Sequence, residues 1–320
     1  MKLDFISAAI RLFMAMLGGV VLAINSGCAV LDRSTPAWRD YPATLKNKPH
    51  INLHKEVSGS GKPILLIHGF GNSIYVWRHL IPELEKQNQV IAIDLKGFGD
   101  SPKPADDRYS VYEQARLIHD YVVENDLKDV TIMGHSLGGG IALVASLYLQ
   151  QSNPGRQRGL VLIDSIAYPQ QLPMFIRVLA TPVLGPLITG VVPPEIQIKQ
   201  VMKLVYAENS TVPADAVKVY AKALRTPEGR YAAVTSARQL QPLDMEELSL
   251  QYPSLRVPTL IVWGKQDKII PVSVGKRLHQ AIPDSQLFVI DDSGHSPAEE
   301  RPQVLLPLVE SFLRYSETTD

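Results

Sequence analysis

Cysteine is almost absent from this sequence. Its single cysteine, Cys28, excludes an intramolecular disulfide. Excess charge is absent as well, because 32 Lys and Arg residues balance 32 Asp and Glu residues. With no basic run to attract a polyanion, we expect no nucleic-acid partner. The 320 residues contain no internal repeat or low-complexity tract, and this length suits one large domain, or one domain that carries an insertion.

Metal-ligand spacings are missing too. None of the eight histidines has a Cys or Glu partner at the spacing of a zinc site, and His50-x-x-x-His54 alone is more typical of chance than of a metal site. We therefore expect this protein to use neither a metal nor a cofactor.

Residues 1–28 have the pattern of an export signal. An apolar run at residues 12–24 is short for a membrane span and typical of the hydrophobic region of a signal peptide. Ser26-Gly27-Cys28 follows and resembles a bacterial lipobox, in which cleavage before the cysteine leaves its thiol to be lipidated. Asn25 stands where such motifs usually carry Leu, so an ordinary cleaved signal and an uncleaved anchor stay as alternatives. The predicted location is the cell envelope, with a lipid anchor in a bacterial membrane through Cys28, or else the periplasm or the medium.

The rest of the chain alternates between strand and helix patterns. Residues 29–49 contain prolines and neither period, which predicts an exposed spacer. Strands are predicted near residues 51–57, 63–67, 90–94, 130–133, 160–164, 258–263 and 287–290, and helices near 76–86, 111–122, 141–149, 272–282 and 304–315. Continuous apolar strands that alternate with helices indicate an α/β fold, with a mostly parallel sheet and helices on both faces.

One serine lies on a predicted turn between a buried strand and a helix, in the pattern Gly134-x-Ser136-x-Gly138. A turn this sharp strains the serine backbone, and side chains two residues before and after it would collide with neighbouring backbone. The helix that follows points its N-terminal N–H groups at whatever the serine attacks. Ordinary glycine-rich turns share the pattern, but the strand before it and the helix after it favour Ser136 as a nucleophile.

Two further strand ends carry the partners that a serine nucleophile needs, a histidine to take its proton and an acid to orient that histidine. His295 follows the last predicted strand, and Asp267 follows the strand before it. Because the carboxyl ends of parallel strands share one edge of the sheet, these residues can meet Ser136 there. Asp164 also ends a strand and is the alternative acid. The order Ser136, Asp267, His295 is that of α/β-hydrolases and differs from that of chymotrypsin and subtilisin.

Acyl transfer also needs N–H donors where negative charge develops on the carbonyl oxygen. The backbone N–H of Leu137, directly after Ser136, is one candidate. The backbone N–H of Phe70, directly after His68-Gly69, is the second. The alternative for the segment at His68 is a plain turn between a strand and a helix.

Five segments together resemble the α/β-hydrolase superfamily, over the chain from residue 50 to the C-terminus. They are His68-Gly69-Phe70-Gly71, Asp94-Leu95-Lys96-Gly97-Phe98-Gly99-Asp100-Ser101, Gly134-His135-Ser136-Leu137-Gly138-Gly139, Asp267 and Ser293-Gly294-His295. The segment at Asp94 is similar to a loop shared by epoxide hydrolases, haloalkane dehalogenases, C–C bond hydrolases and a group of bacterial lipases. The first two groups carry an aspartate nucleophile at the turn where this chain has Ser136. Ser136 therefore favours the groups with a serine nucleophile, the lipases and the C–C bond hydrolases.

The resemblance implies a serine carboxyl-ester hydrolase, a lipase or esterase, that acts through an acyl-enzyme on small-molecule or lipid esters with apolar acyl groups. Ser136, Asp267 and His295 would be its catalytic residues, and Phe70 and Leu137 its oxyanion-hole donors. A C–C bond hydrolase or a lactonase of the same fold is the alternative, although C–C bond hydrolases work on intracellular metabolites and would not suit export. A non-catalytic binding protein of this fold is an alternative of another class.

The resemblance also implies domain boundaries. Residues 50–164 and 253–320 would form the α/β-hydrolase core. The strand pattern stops between them, and helical stretches cut by prolines replace it. Residues 165–252 would therefore form an inserted helical cap.

Within this cap, residues 172–192 are apolar apart from Arg177. The prolines at 173, 182 and 186 argue against a straight membrane-spanning helix. A span would also place Ser136 and His295 on opposite sides of a membrane, although one sheet must hold both. We expect this stretch to line an acyl pocket or to contact lipid. The alternative is that it only packs the cap onto the core.

Overall fold

Seven strands and twelve α-helices make up residues 51–316, the part of the chain that the computed structural model describes. The strands are β1 (Lys55–Ser58), β2 (Lys62–Ile67), β3 (Asn88–Ile93), β4 (Val130–His135), β5 (Gln157–Ile163), β6 (Thr259–Gly264) and β7 (Ser285–Ile290). The helices are α1 (Ile81–Leu84), α2 (Val111–Glu124), α3 (Leu137–Ser152), α4 (Met174–Ala180), α5 (Leu184–Val191), α6 (Pro194–Val205), α7 (Ala214–Leu224), α8 (Pro227–Arg238), α9 (Met245–Ser249), α10 (Val272–Ala281), α11 (Pro297–Glu300) and α12 (Pro302–Tyr315). The predicted export signal, the spacer and Cys28 lie outside the described residues.

The strands form one sheet in the order β1-β3-β2-β4-β5-β6-β7. β1 runs antiparallel to β3, and the other neighbouring strands are parallel. This arrangement confirms the predicted α/β fold with a mostly parallel sheet. β4, the strand that leads to Ser136, lies in the middle of the sheet between β2 and β5.

The central strands are apolar along their length because both faces of the sheet are covered. In β2, Leu65 and Ile67 belong to a core cluster with α2 and α3, whereas Ile64 and Leu66 belong to a cluster on the other face with Trp77 and α12. Successive side chains of a strand point to opposite faces, so a strand covered on both sides needs apolar residues at every position. Each of these five side chains is fully buried.

The main difference from the predicted elements follows β2. The sequence predicts one helix near residues 76–86, but the structure has a 3₁₀ helix at Ile74–Trp77 and then the four-residue helix α1. Pro82 explains the break, because proline lacks the N–H that a continuing helix needs and is tolerated only in a first turn. The first strand is also shorter than predicted, because β1 begins at Lys55.

Helices α4 to α9 lie between β5 and β6, in the segment predicted as the cap. The first two, α4 and α5, meet at a bend of 103°. Pro182 lies in the break between them, and Pro186 lies in the first turn of α5. Across residues 51–316, no single helix is long and apolar enough to cross a membrane, and only the bent pair α4–α5 has the required length and composition together.

Candidate active site

Ser136 occupies the sharp turn between β4 and α3, with φ 55° and ψ −117°. This left-handed conformation is rare for a residue with a side chain. A Cβ atom on Gly134 would lie 2.2 Å from the carbonyl oxygen of Gly138, and one on Gly138 would lie 2.2 Å from that of Ile67. Both glycines are therefore required by close backbone contacts, as the spacing of the motif predicts.

Ser136, His295 and Asp267 lie together at the carboxyl edge of the sheet. Nε2 of His295 is 2.9 Å from Oγ of Ser136, and Nδ1 of His295 is 2.7 Å from Oδ2 of Asp267. The backbone N–H groups of Ile269 and Ile270 donate to Oδ1 of Asp267 at 2.7 and 2.9 Å. These bonds fix the carboxylate, which in turn orients the imidazole towards the serine.

Asp164, the alternative acid, lies close to this group but does not orient the histidine. Its Oδ1 accepts the backbone N–H of Gly264 at 2.8 Å, and its Oδ2 has no hydrogen-bond partner among the described residues. Burial, with the negative charge of Asp267 as a second cause, raises the pKa of Asp164 well above its ordinary value. A buried carboxyl beside a carboxylate is more stable as the neutral acid.

Donor atoms of Asp164, Asp267 and His295 lie within 4.8 Å of one another, close enough to share a cation. Two observations favour a hydrogen-bonded acid–base pair over a cation site in this structure. Asp267 and His295 bond each other directly at 2.7 Å, and the other nitrogen of His295 is engaged with Ser136.

The two predicted oxyanion donors lie beside the serine. A Cβ atom on Gly69 would lie 3.0 Å from Cβ of Ser136, so the turn that carries Phe70 packs directly against the serine. Phe70 and Leu137 line the same cavity as Ser136 and His295. Within residues 51–316, neither the Phe70 nor the Leu137 amide has a hydrogen-bond acceptor. Both N–H groups are therefore free to bind an oxygen atom of a ligand.

His68 and Asp94, two other polar residues at strand ends, hold the loops around the site. The backbone N–H of Leu95 donates to Nε2 of His68, so Nδ1 carries the proton and donates to the carbonyl oxygen of Gly69. Burial lowers the pKa of His68. The carboxylate of Asp94 accepts the backbone N–H groups of Ile74 and Asp100, both at 2.8 Å. These contacts order the turn that carries Phe70.

His135 supports the site, although no pattern in the sequence singles it out. It occupies a variable position of the Gly-x-Ser-x-Gly pattern, and its Nε2 lies 2.6 Å from the backbone oxygen of His295. A carbonyl only accepts, so Nε2 of His135 carries the proton and donates. Burial, with the nearby His295 as a second cause, lowers the pKa of His135 to about 3. The neutral ring of His135 therefore supports the backbone of His295 through this hydrogen bond.

Glu300 is the second residue without a recognisable sequence signal. Its Oε1 accepts the backbone N–H groups of Gly294 and Ser296 at 3.0 and 3.1 Å, on either side of His295. Its Oε2 accepts the N–H of Ala207 at 2.8 Å and the hydroxyl of Ser210 at 2.7 Å, both in the segment after α6. One carboxylate thus joins the histidine loop to the inserted helices.

A cavity of about 710 Å³ opens above Ser136, between the sheet edge and helices α4 to α8. Its floor includes Ser136, His295 and Phe70. Its walls are mostly apolar and include Leu172, Phe175, Ile176, Leu179, Ile188 and Val201. The apolar stretch of the predicted cap thus lines this cavity. A volume of this size accommodates a small organic ligand.

Comparison with known proteins agrees with this architecture. The model of the alpha/beta hydrolase family matches residues 64–308. The chain is 28% identical over 267 residues to the uncharacterized hydrolase YugF of Bacillus subtilis, covering 82% of this chain and 95% of that protein. It is 30% identical over 272 residues to a 2-hydroxymuconate semialdehyde hydrolase of Pseudomonas putida, covering 82% of this chain and 90% of that protein.

A solved structure gives the same picture. An esterase from Thermogutta terrifontis superimposes with a TM-score of 0.70 at 26% identity, covering 84% of this chain and 95% of that one. Because the family model spans most of the chain, and this structure covers 84% of it, the similarity is not limited to one motif. The chain belongs to the alpha/beta hydrolase family.

Proposed function

We propose that this hydrolase is a serine carboxyl-ester hydrolase, a lipase or esterase that works through an acyl-enzyme. The observation that carries the proposal is the continuous chain from Asp267 through His295 to Ser136, at 2.7 and 2.9 Å, on the floor of an apolar cavity. A serine hydroxyl is weakly nucleophilic at neutral pH and needs a base held in this position.

The proposed first half-reaction forms the acyl-enzyme. Oγ of Ser136 attacks the ester carbonyl carbon while Nε2 of His295 takes the hydroxyl proton, and the buried carboxylate of Asp267 stabilises the imidazolium. The carbonyl oxygen becomes an oxyanion, which accepts hydrogen bonds from the amides of Phe70 and Leu137. The tetrahedral intermediate then collapses, and His295 donates its proton to the departing alkoxide, which leaves as the alcohol.

The second half-reaction releases the acid. A water molecule enters above the acyl-serine and loses a proton to His295 as its oxygen attacks the acyl carbon. The same two amides stabilise the second oxyanion. Collapse breaks the bond to Oγ of Ser136, which regains its proton from His295, and the carboxylic acid leaves.

The experiment that tests this proposal compares the wild type with Ser136→Ala. Hydrolysis of p-nitrophenyl butyrate should fall by on the order of 10⁴-fold in kcat, and covalent labelling by a fluorophosphonate probe should be lost. An unchanged Tm would show that the fold is intact. A folded Ser136→Ala protein with near-full hydrolysis would rule out the mechanism. A wild type that neither hydrolyses esters nor takes the probe would favour a non-catalytic binding protein.

A C–C bond hydrolase is the second candidate, because the chain is 30% identical to a 2-hydroxymuconate semialdehyde hydrolase. A muconate-type substrate carries a carboxylate, which a buried site must pair with a cation. Among the described residues that line the cavity, the one Lys or Arg side chain is Lys203, which is exposed at the mouth. The apolar interior thus favours uncharged acyl esters. Turnover of a 2-hydroxy-6-oxo-dienoate that exceeds ester hydrolysis would reverse this ranking.

We also propose export to the cell envelope, with cleavage before Cys28 and lipidation of its thiol. The support is the pattern at residues 12–28. The intact mass of the mature protein tests it, because a lipidated chain begins at Cys28 and is heavier than its sequence. An unmodified chain that begins elsewhere would contradict lipidation and leave the proposed reaction untouched.

A further inference from the structure

Helix α5 exposes a row of apolar side chains. Val183, Leu187 and Val191 are spaced four residues apart, which places them on one face of the helix. They are 73%, 47% and 71% exposed. We call these three residues, with the exposed prolines 182 and 186 beside them, the α5 face. An exposed apolar patch of this kind marks a surface that contacts a protein or a membrane.

The α5 face lies in a stretch without charge. Between Arg177 and Glu195 the chain contains no Asp, Glu, Lys or Arg. Protein interfaces normally surround an apolar centre with a polar rim, and this stretch itself contributes no charged side chain to such a rim. Hydrocarbon, in contrast, disfavours any charge. The composition therefore favours lipid over protein as the partner of this face.

The helix that carries the α5 face also forms part of the wall of the active-site cavity. It turns Ile188 and Thr189 inwards to line the cavity. Met174 and Leu204, which also line the cavity, are 36% and 49% exposed and so form part of its rim. The α5 face and the cavity therefore share one helix, and apolar side chains are exposed at both.

The chain outside the described residues fits the same partner. The apolar run at residues 12–24 is followed by a spacer of 21 residues, 29–49. Fully extended, a spacer of that length reaches about 70 Å. It would allow an N-terminal membrane attachment to hold the folded part close to a bilayer, where a second, weaker contact becomes effective.

We propose that the α5 face docks onto the surface of a lipid bilayer and presents the mouth of the active-site cavity to it. Val183, Leu187 and Val191 enter the boundary between headgroups and acyl chains. Esters that reside in the bilayer then enter the cavity past Met174 and Leu204. The proposal rests on the proposed ester hydrolysis only for the direction of substrate entry, because docking requires no catalysis.

A fluorescent label tests docking independently of catalysis. Val191→Cys and Val304→Cys are each made in the full chain with Cys28→Ser, so that the new thiol is unique. This background lacks the proposed lipid at Cys28, so it tests docking of the α5 face alone, and the vesicles are therefore added to saturating concentration. Val304 is a matched control, because it is an exposed valine on α12, outside the inserted helices. An environment-sensitive dye on Cys should shift to shorter wavelength at position 191, and not at 304, when vesicles of phosphatidylcholine and phosphatidylglycerol are added.

Three outcomes of this labelling experiment would overturn the proposal. In the first, vesicles leave the dye at position 191 in water. In the second, the shift follows protein concentration without vesicles, which would assign the α5 face to a second copy of the chain. Emission at position 191 that is already shifted, and that vesicles do not change, would show that the N-terminal apolar run covers the face.

A charge on the α5 face gives a second test. Leu187→Glu should lower kcat/KM for a long-chain ester carried in the same vesicles by about tenfold or more, because the carboxylate cannot enter the bilayer. Its kcat/KM for water-soluble p-nitrophenyl acetate should stay unchanged, as should both values for Val304→Glu. Equal losses on both substrates, or no loss on either, would contradict docking. If the wild type hydrolyses no ester, the labelling experiment still decides.

Discussion

At the scale of the residue, the candidate site combines one strained backbone with several fixed polar groups. The φ of 55° at Ser136 is an unfavourable conformation that costs about 1–3 kcal/mol and persists only where its surroundings impose it. The close contacts at Gly134 and Gly138 impose it here. Replacing either glycine by alanine would push a methyl group into neighbouring backbone. The turn between β4 and α3 therefore depends on both glycines as much as on the serine.

The two buried acids should respond very differently to amidation. Asp267→Asn removes the carboxylate that orients His295 and should lower kcat by about 10³- to 10⁴-fold. Asp164→Asn changes a carboxyl that makes no hydrogen bond to His295 and whose raised pKa favours the neutral form, so kcat should fall by less than about tenfold. Steady-state hydrolysis of p-nitrophenyl butyrate measures both. The reverse ranking would assign the acid to the strand end at Asp164.

His135 should make the folded protein sensitive to acid. Its pKa is lowered from 6.5 to about 3, so below its ordinary pKa the unfolded chain binds a proton that the native state does not. Unfolding is therefore favoured progressively as the pH falls below 6.5. His135→Gln keeps a donor for the His295 carbonyl without the titration, and its Tm should fall less between neutral pH and about pH 5.

His279 is exposed, and His279→Gln provides the control for this measurement. It should follow the wild-type Tm profile, since its ring lies at the surface. His68 is also buried with a lowered pKa, but it is present in all three proteins and cancels in the difference. A His135→Gln profile that parallels the wild type would contradict a neutral, buried His135.

At the scale of the element, the sequence predicted those strands and helices that depend on a local pattern of residues. Apolar runs located the central strands, and Ser110 is a residue type that favours a helix N-terminus, where its Oγ accepts the N–H of Glu113 at 3.2 Å at the start of α2. Pro82 divides the predicted helix at 76–86, and a stricter use of proline as a helix breaker would have anticipated this. The contacts of His135 and Glu300 could not be predicted, since they join segments far apart in the chain.

Glu300 should couple the histidine loop to the inserted helices. Three of its four partners are backbone N–H groups, which only donate, and at least one of these lies on each side of the carboxylate. The amide NH₂ of Glu300→Gln would therefore face an N–H group on either side and break at least one hydrogen bond. Losing hydrogen bonds to a buried carboxylate costs about 1.5–3 kcal/mol each. We expect a lower Tm together with a kcat reduced by about tenfold, because His295 loses its position.

The matched control for Glu300→Gln is Glu83→Gln, which removes a half-exposed ion pair between Glu83 of α1 and Lys86. Exposed pairs contribute little, so Tm and kcat should both stay near wild type. Loss of stability in Glu300→Gln at unchanged kcat would show that the hydrogen bonds of Glu300 support the fold alone. Rescue of kcat by Glu300→Asp would be evidence for a positioning role.

At the scale of the whole molecule, the sheet brings residues from three strand ends to one edge, and the inserted helices enclose the space above them. β4, β6 and β7 position Ser136, Asp267 and His295, and α4 to α8 supply most of the cavity wall. On the proposed function, the chemistry would reside at the edge of the sheet and the selection of substrate in the inserted segment. This division separates the effects of mutations: changes at the edge should alter kcat for every ester, whereas changes in the wall should alter the preferred acyl group.

The apolar cavity predicts a rising preference for longer acyl chains. Each methylene that enters it contributes up to about 0.8 kcal/mol, or about fourfold in kcat/KM. The specificity constant should therefore climb from p-nitrophenyl acetate to medium-chain esters. Ile188→Trp fills the cavity from α5 and should move the optimum to shorter chains, whereas Leu187→Trp, its outward-facing neighbour, should leave the profile unchanged. A steady fall from acetate upwards in the wild type would mean that the wall only packs the inserted helices onto the sheet, and that the natural substrate is a small ester.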